Sequence, residues 1–193
     1  MSHNVDSYKF SNIGMETTSL CNSKCRVCPR EEHYSRPVID MDLDLFKKIM
    51  IDIHDNKIEK QVRFSGMGDA SCDKNLIERL RFCKERVPNL DLVVLSNMSG
   101  WKKSMSDCVI DEGLLKKIRF SIFAVTEEFS EEEYGNKSQA RIARKAIEYF
   151  IEKNNMAGNP VDTLMYTLSN DKNKDELDRI KEVYWDAVDE FEV

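Results

Sequence analysis

The segment Leu20-Cys-Asn-Ser-Lys-Cys-Arg-Val-Cys-Pro-Arg30 brings three cysteines within eight residues of one another. Cys21, Cys25 and Cys28 have the spacing Cys-x3-Cys-x2-Cys and follow a strand-like segment at residues 13–18. Three thiolates from one tight loop can bind three irons of a four-iron cluster, whereas a fully ligated ferredoxin cluster takes four cysteines. The spacing therefore predicts a cluster whose fourth iron is open to a small molecule, as an open position is in catalytic metal sites.

Two simpler explanations of the cysteines are a structural zinc site and a disulfide framework. A zinc site usually combines two ligand pairs, but Cys72, Cys83 and Cys108 are scattered and His33 is isolated. A disulfide framework fits poorly, because six cysteines in 193 residues is an ordinary density and no secretory signal precedes them. We therefore favour the cluster over both alternatives.

Composition predicts one globular domain over residues 1–193, since 41% hydrophobic residues suffice for a core and 33% are charged. The net charge of −6, from 29 Lys and Arg against 35 Asp and Glu, argues against a general nucleic-acid-binding protein. No apolar run reaches membrane-spanning length, and the N-terminus lacks the features of a signal peptide. Free thiolates also require a reducing compartment, so we expect a cytoplasmic protein.

Apolar patterning alternates short strands with amphipathic helices. Beside residues 13–18, strands are predicted at 61–65, 90–95, 118–124 and 161–168, and residues 189–193 look like the start of a sixth. Helical stripes occur between them, at Phe46, Ile49, Met50 and Ile53; at Leu76, Leu80, Cys83 and Val87; at Ile142, Ala146, Ile147 and Phe150; and at Leu177, Ile180, Tyr184, Ala187 and Val188. This order predicts an α/β fold with functional residues at the carboxyl ends of the strands.

The cysteine triplet after the first strand resembles the signature of the radical S-adenosylmethionine (radical SAM) family, and the resemblance extends over residues 13–170. It implies a partial (β/α)6 barrel, here lacking its last unit. It also implies a 4Fe-4S cluster on Cys21, Cys25 and Cys28, with SAM chelating the fourth iron. Reductive cleavage of SAM would give a 5′-deoxyadenosyl radical that abstracts hydrogen from a peptide or small-molecule substrate. The implied electron donor is a flavodoxin or ferredoxin.

Further SAM contacts are implied at the ends of later strands. Phe64-Ser-Gly-Met-Gly-Asp-Ala70 resembles the Gly-Gly-Glu-Pro segment of the family, in which the glycines permit close backbone approach and the carboxylate meets the SAM ammonium. Gly66, Gly68 and Asp69 take these positions, although Asp69 stands where Glu is usual and Ala70 where Pro is usual.

Three more residues match the family in their order along the chain. Asn97, in Leu95-Ser-Asn-Met-Ser-Gly100, resembles the Thr-Asn-Gly turn after the third strand. Ser121 resembles the serine of the fourth strand that reaches SAM, and Arg141 resembles the arginine that some members direct at the SAM carboxylate. Val27 departs from the family, because an aromatic residue often precedes the last cysteine.

Other parts of the chain carry less specific expectations. Cys83 is predicted to be a core thiol, and Cys108 to lie in a loop or at a helix start. Residues 127–133 contain five glutamates and are interpreted as a solvated loop. The Cys-Pro-Arg run and the helix start near Met41 resemble members that carry an auxiliary-cluster (SPASM or Twitch) extension.

Two hypotheses about function follow. The first is a radical SAM enzyme that cleaves SAM reductively. The second is a degenerate or partial barrel that binds a cluster or SAM without independent catalysis and needs a partner chain. It is motivated by Asp69, Val27 and the missing last unit.

Overall fold

The computed structural model describes residues 12–30, 35–57, 61–170 and 172–193. Within these residues six strands form one parallel sheet in the order β1-β2-β3-β4-β5-β6. The strands are β1 Ile13–Met15, β2 Gln61–Phe64, β3 Asp91–Ser96, β4 Lys117–Ser121, β5 Asp162–Tyr166 and β6 Glu190–Glu192. The predicted α/β partial barrel is thereby confirmed.

Helices alternate with these strands along the described part of the chain. They are α1 Leu43–Asp55, α2 Leu76–Arg86, α3 Lys103–Asp111, α4 Glu127–Tyr134, α5 Gln139–Met156 and α6 Lys174–Tyr184, and a short 3-10 helix, Ala70–Cys72, follows β2. None of these helices is both long enough and apolar enough to span a membrane.

One face of the sheet carries the core. Phe64 of β2 and Phe46 of α1 are both buried, and their rings meet edge to face with centroids 5.8 Å apart. Burial of each such side chain contributes about 1.5–3 kcal/mol relative to exposure. The same face is continued by Val62, Val94, Ile118, Phe120 and Met165. Because successive strand residues alternate in direction, the residues between these point to the opposite side, which we call the inner face.

The sixth strand is more complete than the sequence suggested. Glu190 to Glu192 pair in parallel with Leu164 to Tyr166 of β5. The carboxylate of Asp189 accepts hydrogen bonds from the backbone N–H and the hydroxyl of Thr163, at 2.8 and 2.7 Å. The start of a strand expected at residues 189–193 is therefore a paired sixth strand of the sheet.

Residues 127–133 are not the expected solvated loop but form most of α4. The hydroxyl of Thr126 caps the helix by accepting from the Phe129 N–H, and two glutamates in the first turn suit the positive end of the helix. Gly135 ends it in the left-handed conformation, with φ of 68°. Glu133 lies on the buried side, only 2% exposed.

Two smaller expectations also need correction. Cys108 lies inside α3 rather than in a loop. Ile142 of α5 is 41% exposed, because the buried stripe of this helix runs through Ala143, Ile147 and Phe150. Cys83 is a buried core thiol, as predicted.

We expect Asp189→Ala to detach β6 and to lower the free energy of unfolding by about 1–2 kcal/mol, since two hydrogen bonds are lost. Those hydrogen bonds lower the pKa of Asp189. Their stabilisation is therefore present above the unfolded pKa and is lost as the pH falls through the lower folded value. Hydrogen exchange of the Thr167 N–H, which donates to the Glu192 carbonyl, would report the detachment. Exposed Asp186→Ala is the control, and equal exchange in both variants would contradict the assignment.

Candidate active site

The three cysteines lie in the loop that follows β1, at the carboxyl end of the sheet. All three are free, partly exposed thiols, and the Cys28 N–H donates to the Cys25 carbonyl at 3.0 Å. Burial raises the pKa of Cys21 to about 11 and that of Cys25 to about 12, and the charges of Cys21, Glu133 and Cys28 add to the increase at Cys25. Burial therefore favours the neutral thiol form of Cys21 and Cys25, and a bound cation would favour their thiolate form.

The donor set of the cysteine loop consists of three free thiols. Within the described residues, no three His, Cys, Asp or Glu side chains are placed to hold one metal ion together. A tetrahedral zinc site needs its sulfurs gathered round one point, whereas in a cluster each thiolate binds a different iron. Three thiolates are the right kind of ligand for a cluster, and the 4Fe-4S cluster on Cys21, Cys25 and Cys28 stays a prediction.

The loop after β2 packs directly beneath the cysteine loop. A Cβ atom on Gly68 would overlap the carbonyl oxygen of Thr18, and one on Gly66 would lie 2.5 Å from Cγ of Glu16. The Asp69 N–H donates to the Leu20 carbonyl at 2.8 Å. Both glycines therefore permit close packing of two protein loops, and their contact with SAM stays a prediction.

Asp69 is buried, and its carboxylate is occupied by partners within the protein. Oδ1 accepts from the Ser71 N–H at 2.9 Å, the Ser71 hydroxyl at 2.6 Å and the Ser96 hydroxyl at 2.9 Å. Oδ2 accepts from the Asn97 N–H at 2.6 Å. Because an ionised carboxylate has about four acceptor positions, these bonds nearly saturate it. The expected pairing of Asp69 with the SAM ammonium stays a prediction.

The side chain of Asn97 reaches the cysteine loop. Its Nδ2 lies 3.9 Å from the Cys21 sulfur, 3.0 Å from Oδ1 of Asn22 and 2.9 Å from the Ser23 hydroxyl oxygen. The Ser23 hydroxyl also accepts from Nε2 of Gln139, a fully buried residue at the start of α5. Asn97 and Gln139 thus hold the loop from two sides. Gln139 was not predicted, because nothing in the sequence distinguishes it from other helix-start residues.

Helix α4 holds the second half of the cysteine loop. The Arg26 N–H donates to the Glu133 carbonyl at 2.8 Å, and the Arg26 guanidinium pairs with Glu132. Burial raises the pKa of the Glu133 carboxyl, while a hydrogen bond from the Val27 backbone opposes that increase. The Tyr134 hydroxyl oxygen accepts from the backbone N–H groups of residues 123 and 124, at 2.7 and 3.1 Å. These contacts were missed because the segment was interpreted as a loop.

The remaining predicted residues lie in two different places. Ser121 ends β4 beside Tyr166 of β5, at the carboxyl end of the sheet. Arg141 lies on α5 with its side chain more than half exposed, and its Nε is 3.8 Å from a Glu127 oxygen. The structure therefore brings Gly66, Gly68, Asp69 and Asn97 to the cysteine loop, with Ser121 at the same end of the sheet, and leaves Arg141 outside that group.

We expect Gly68→Ala to displace the cysteine loop, because the added methyl group would overlap backbone atoms that cannot rotate away. Overpacking of this kind typically costs about 1–3 kcal/mol, which thermal unfolding would measure. Gly14→Ala is the matched control, because its Cβ would meet Oγ of Ser65 at an ordinary 3.5 Å. Equal melting temperatures for the two variants would show that stability does not depend on the close approach of Gly68 to the backbone of Thr18.

Comparison by sequence gives a limited result. No family model matches the chain. A segment of 72 residues is 33% identical to the tungsten-containing aldehyde ferredoxin oxidoreductase cofactor-modifying protein of Pyrococcus furiosus. The segment covers 37% of this chain and 20% of that protein.

Comparison by structure covers most of the chain. BtrN in complex with AdoMet (SAM) and 2-DOIA superposes with a TM-score of 0.62 at 18% identity, over 82% of this chain and 57% of BtrN. AdoMet-bound anSMEcpe gives 0.66 at 12% identity, over 91% of this chain and 48% of that protein.

The radical S-adenosylmethionine methyltransferase TsrM of Kitasatospora setae, with cobalamin and a [4Fe-4S] cluster bound, gives a TM-score of 0.66 at 12% identity, over 90% of this chain and 34% of TsrM. The chain thus spans between a third and three fifths of these solved proteins. With its Cys-x3-Cys-x2-Cys loop after the first strand, this chain has the fold of the radical SAM enzymes that these neighbours represent.

Proposed function

We propose that the chain is a radical SAM enzyme, in which Cys21, Cys25 and Cys28 hold a 4Fe-4S cluster and SAM is cleaved reductively. One observation carries the proposal. Three free thiols lie in one loop at the carboxyl end of β1, in a chain with the fold of the solved radical SAM methyltransferase. When bound, the cluster would supply the electron that cleaves the sulfonium. The protein would supply binding, orientation and electrostatics.

The residues around the loop have separate tasks in this proposal. Asn97 and Gln139 orient the first half of the loop through Ser23, and α4 holds the second half through Arg26. Asp69 keeps the loops after β2 and β3 in register beneath it. Partial burial of Cys21 and Cys25 would limit the access of water to a cluster bound there.

The substrate is proposed to be a peptide or a small molecule. The solved relatives support both classes, since anSMEcpe has been captured with AdoMet and a peptide, and BtrN with AdoMet and 2-DOIA. We further propose a cytoplasmic location and a flavodoxin or ferredoxin as electron donor, because the proposed chemistry needs reduced thiolates and a low-potential electron.

Production of 5′-deoxyadenosine tests the proposal. After anaerobic reconstitution with iron and sulfide, dithionite and SAM should yield 5′-deoxyadenosine, measured by liquid chromatography and mass spectrometry. Cys25→Ala should abolish the product, because one iron loses its protein ligand. Cys108→Ala, in α3 outside the site, is the matched control. Unchanged product formation by Cys25→Ala, or zinc without iron after anaerobic purification, would refute the proposal.

The internal hydrogen bonds of the Asp69 carboxylate favour a second candidate function. With Asp69 bonded internally, the chain would bind a cluster or SAM but would need a partner chain for catalysis. A visible thiolate-to-iron absorption band without production of 5′-deoxyadenosine would favour this candidate.

We expect Asn97→Leu to make the midpoint potential of the cluster more negative. The substitution removes the N–H group directed at the Cys21 sulfur, and hydrogen bonds to cluster sulfurs stabilise the reduced state. An anaerobic redox titration followed by electron paramagnetic resonance would measure the shift. Asn155→Leu is the control, because Asn155 is an exposed residue of α5. Equal midpoint potentials in the two variants would show that Asn97 does not stabilise the reduced cluster.

A further inference from the structure

A cleft of about 320 Å³ lies between helices α3 and α5, on the outer side of the sheet. Helix α5 packs on the helix-covered face, since its Phe150 is fully buried and meets Phe120 of β4 edge to face, with ring centroids 5.7 Å apart. Buried Trp101 lines the cleft, and its Nε1 donates to the Ser106 hydroxyl oxygen at 3.0 Å. The sheet therefore separates the cleft from the inner face of the barrel.

Positive charge is concentrated in this cleft. Four of its nine lining residues are cations, namely Lys102, Lys103, Arg141 and Lys145, and none of the nine is acidic. The chain as a whole has a net charge of −6, so the cleft has the opposite sign to the protein around it. Like charges gathered in a concave site raise the local potential and attract an anion.

Two of the four cations have no partner among the described residues. Lys102 and Lys145 are exposed, and the ammonium of neither makes an ion pair or a hydrogen bond within the described ranges. Further along the same two helices, Lys153 of α5 pairs with Asp111 of α3 at 2.8 Å. The described helices thus pair their charges at one end and leave lysines unpaired at the cleft.

The other two cations are held by neighbouring side chains. Nζ of Lys103 lies 4.4 Å from the centroid of the Tyr149 ring, and the Tyr149 hydroxyl donates to Asp107 at 2.8 Å. Nε of Arg141 lies 3.8 Å from a Glu127 oxygen. Lys103 is therefore positioned before any ligand arrives, which lowers the entropic cost of binding.

The start of α3 adds backbone donors to the cleft. The N–H groups of Lys103 and Ser104 have no acceptor among the described residues, and Lys102 provides no side-chain cap for the helix. The first N–H groups of a helix lie at its positive end and bind anions readily. Unpaired ammonium groups and unpaired amides therefore occur together at one place in the described structure.

Size and charge indicate which anion fits. Pockets for small ligands have volumes of about 300–1,000 Å³, so this cleft is large enough for a small molecule. Lysine ammonium groups and helix N-termini are both common phosphate ligands. A doubly charged phosphate would offset more of the positive charge than a carboxylate would.

We propose that the cleft between α3 and α5 binds the phosphate group of a small molecule, with Lys102 and Lys145 as its main ligands. The inference goes beyond the proposed function, because neither the cluster nor SAM takes part in it. The cleft adjoins both segments that hold the cysteine loop, since Asn97 lies four residues before Trp101 and Gln139 begins α5. A ligand there would therefore stabilise the supports of that loop.

Calorimetric titration of the anaerobically reconstituted protein at fixed ionic strength tests the inference, with sodium phosphate, sodium acetate and SAM as separate probes. Phosphate should bind more tightly than acetate. We expect Lys145→Gln to weaken phosphate binding about tenfold, because a charge-assisted hydrogen bond is lost. It should change SAM affinity less than about twofold, because the sites are separate. Lys102→Gln should act in the same way. Exposed Lys48→Gln, in α1, is the matched control and should bind phosphate as the natural protein does.

Three results would overturn the inference. Equal phosphate affinity in Lys145→Gln and Lys48→Gln would show that the cleft is not the phosphate site. Tighter binding of an oligoglutamate peptide than of phosphate, lost in Lys145→Gln, would assign the cleft to an acidic protein partner. Loss of SAM affinity in Lys145→Gln would assign the cleft to the SAM carboxylate. The phosphate titration needs no SAM cleavage, so its outcome is independent of the 5′-deoxyadenosine test.

Discussion

The candidate site depends on one buried carboxylate, that of Asp69. It receives hydrogen bonds from the loop after β2 and from the end of β3, while the backbone of the same residue donates to Leu20 beside the cysteines. Three loops from three different strands therefore share one anchor. Because the anchor is shielded from water, loss of the Asn97 N–H would leave the buried Oδ2 without a donor in the described residues, which costs more than the bond itself contributes. Oδ1 would keep two donors if one of its three were lost. The position of the cysteines is thus set by polar contacts beneath them as much as by their own short loop.

The fold could be predicted from the sequence because its signals are local. Parallel strands that are buried on one side are rich in Val, Ile and Leu, and helices show their period, so five strands and four helices were visible without the structure. The spacing of the cysteine triplet is also a local signal, and it predicts a cluster without further information. Elements with conflicting local signals were missed or shortened. Helix α4 was interpreted as a loop because it is rich in glutamate, although its capping threonine and terminal glycine indicate a helix.

The contacts that hold the site could not be predicted, because they join residues far apart in sequence. Gln139 meets Ser23 across the molecule, and Glu133 meets the backbone of Arg26. A glutamine and a glutamate are common in helices, so their sequence positions do not mark them. They contact the cysteine loop because α4 and α5 pack over it. Asp69 and Asn97 were correctly singled out, yet their observed partners are protein atoms. Arg141 was selected by its distance along the chain, and the structure leaves it on the exposed side of α5, outside the group around the cysteine loop.

The sheet has two separate edges in the described residues, since β1 pairs only with β2 and β6 only with β5. A closed cylinder would admit molecules only through its mouth, and the mouth would limit their width. In the described residues β1 and β6 do not pair, which leaves a gap between the two margins of the sheet. The glutamates of β6 at one margin of the gap would also repel a second acidic strand and so discourage unwanted edge-to-edge association.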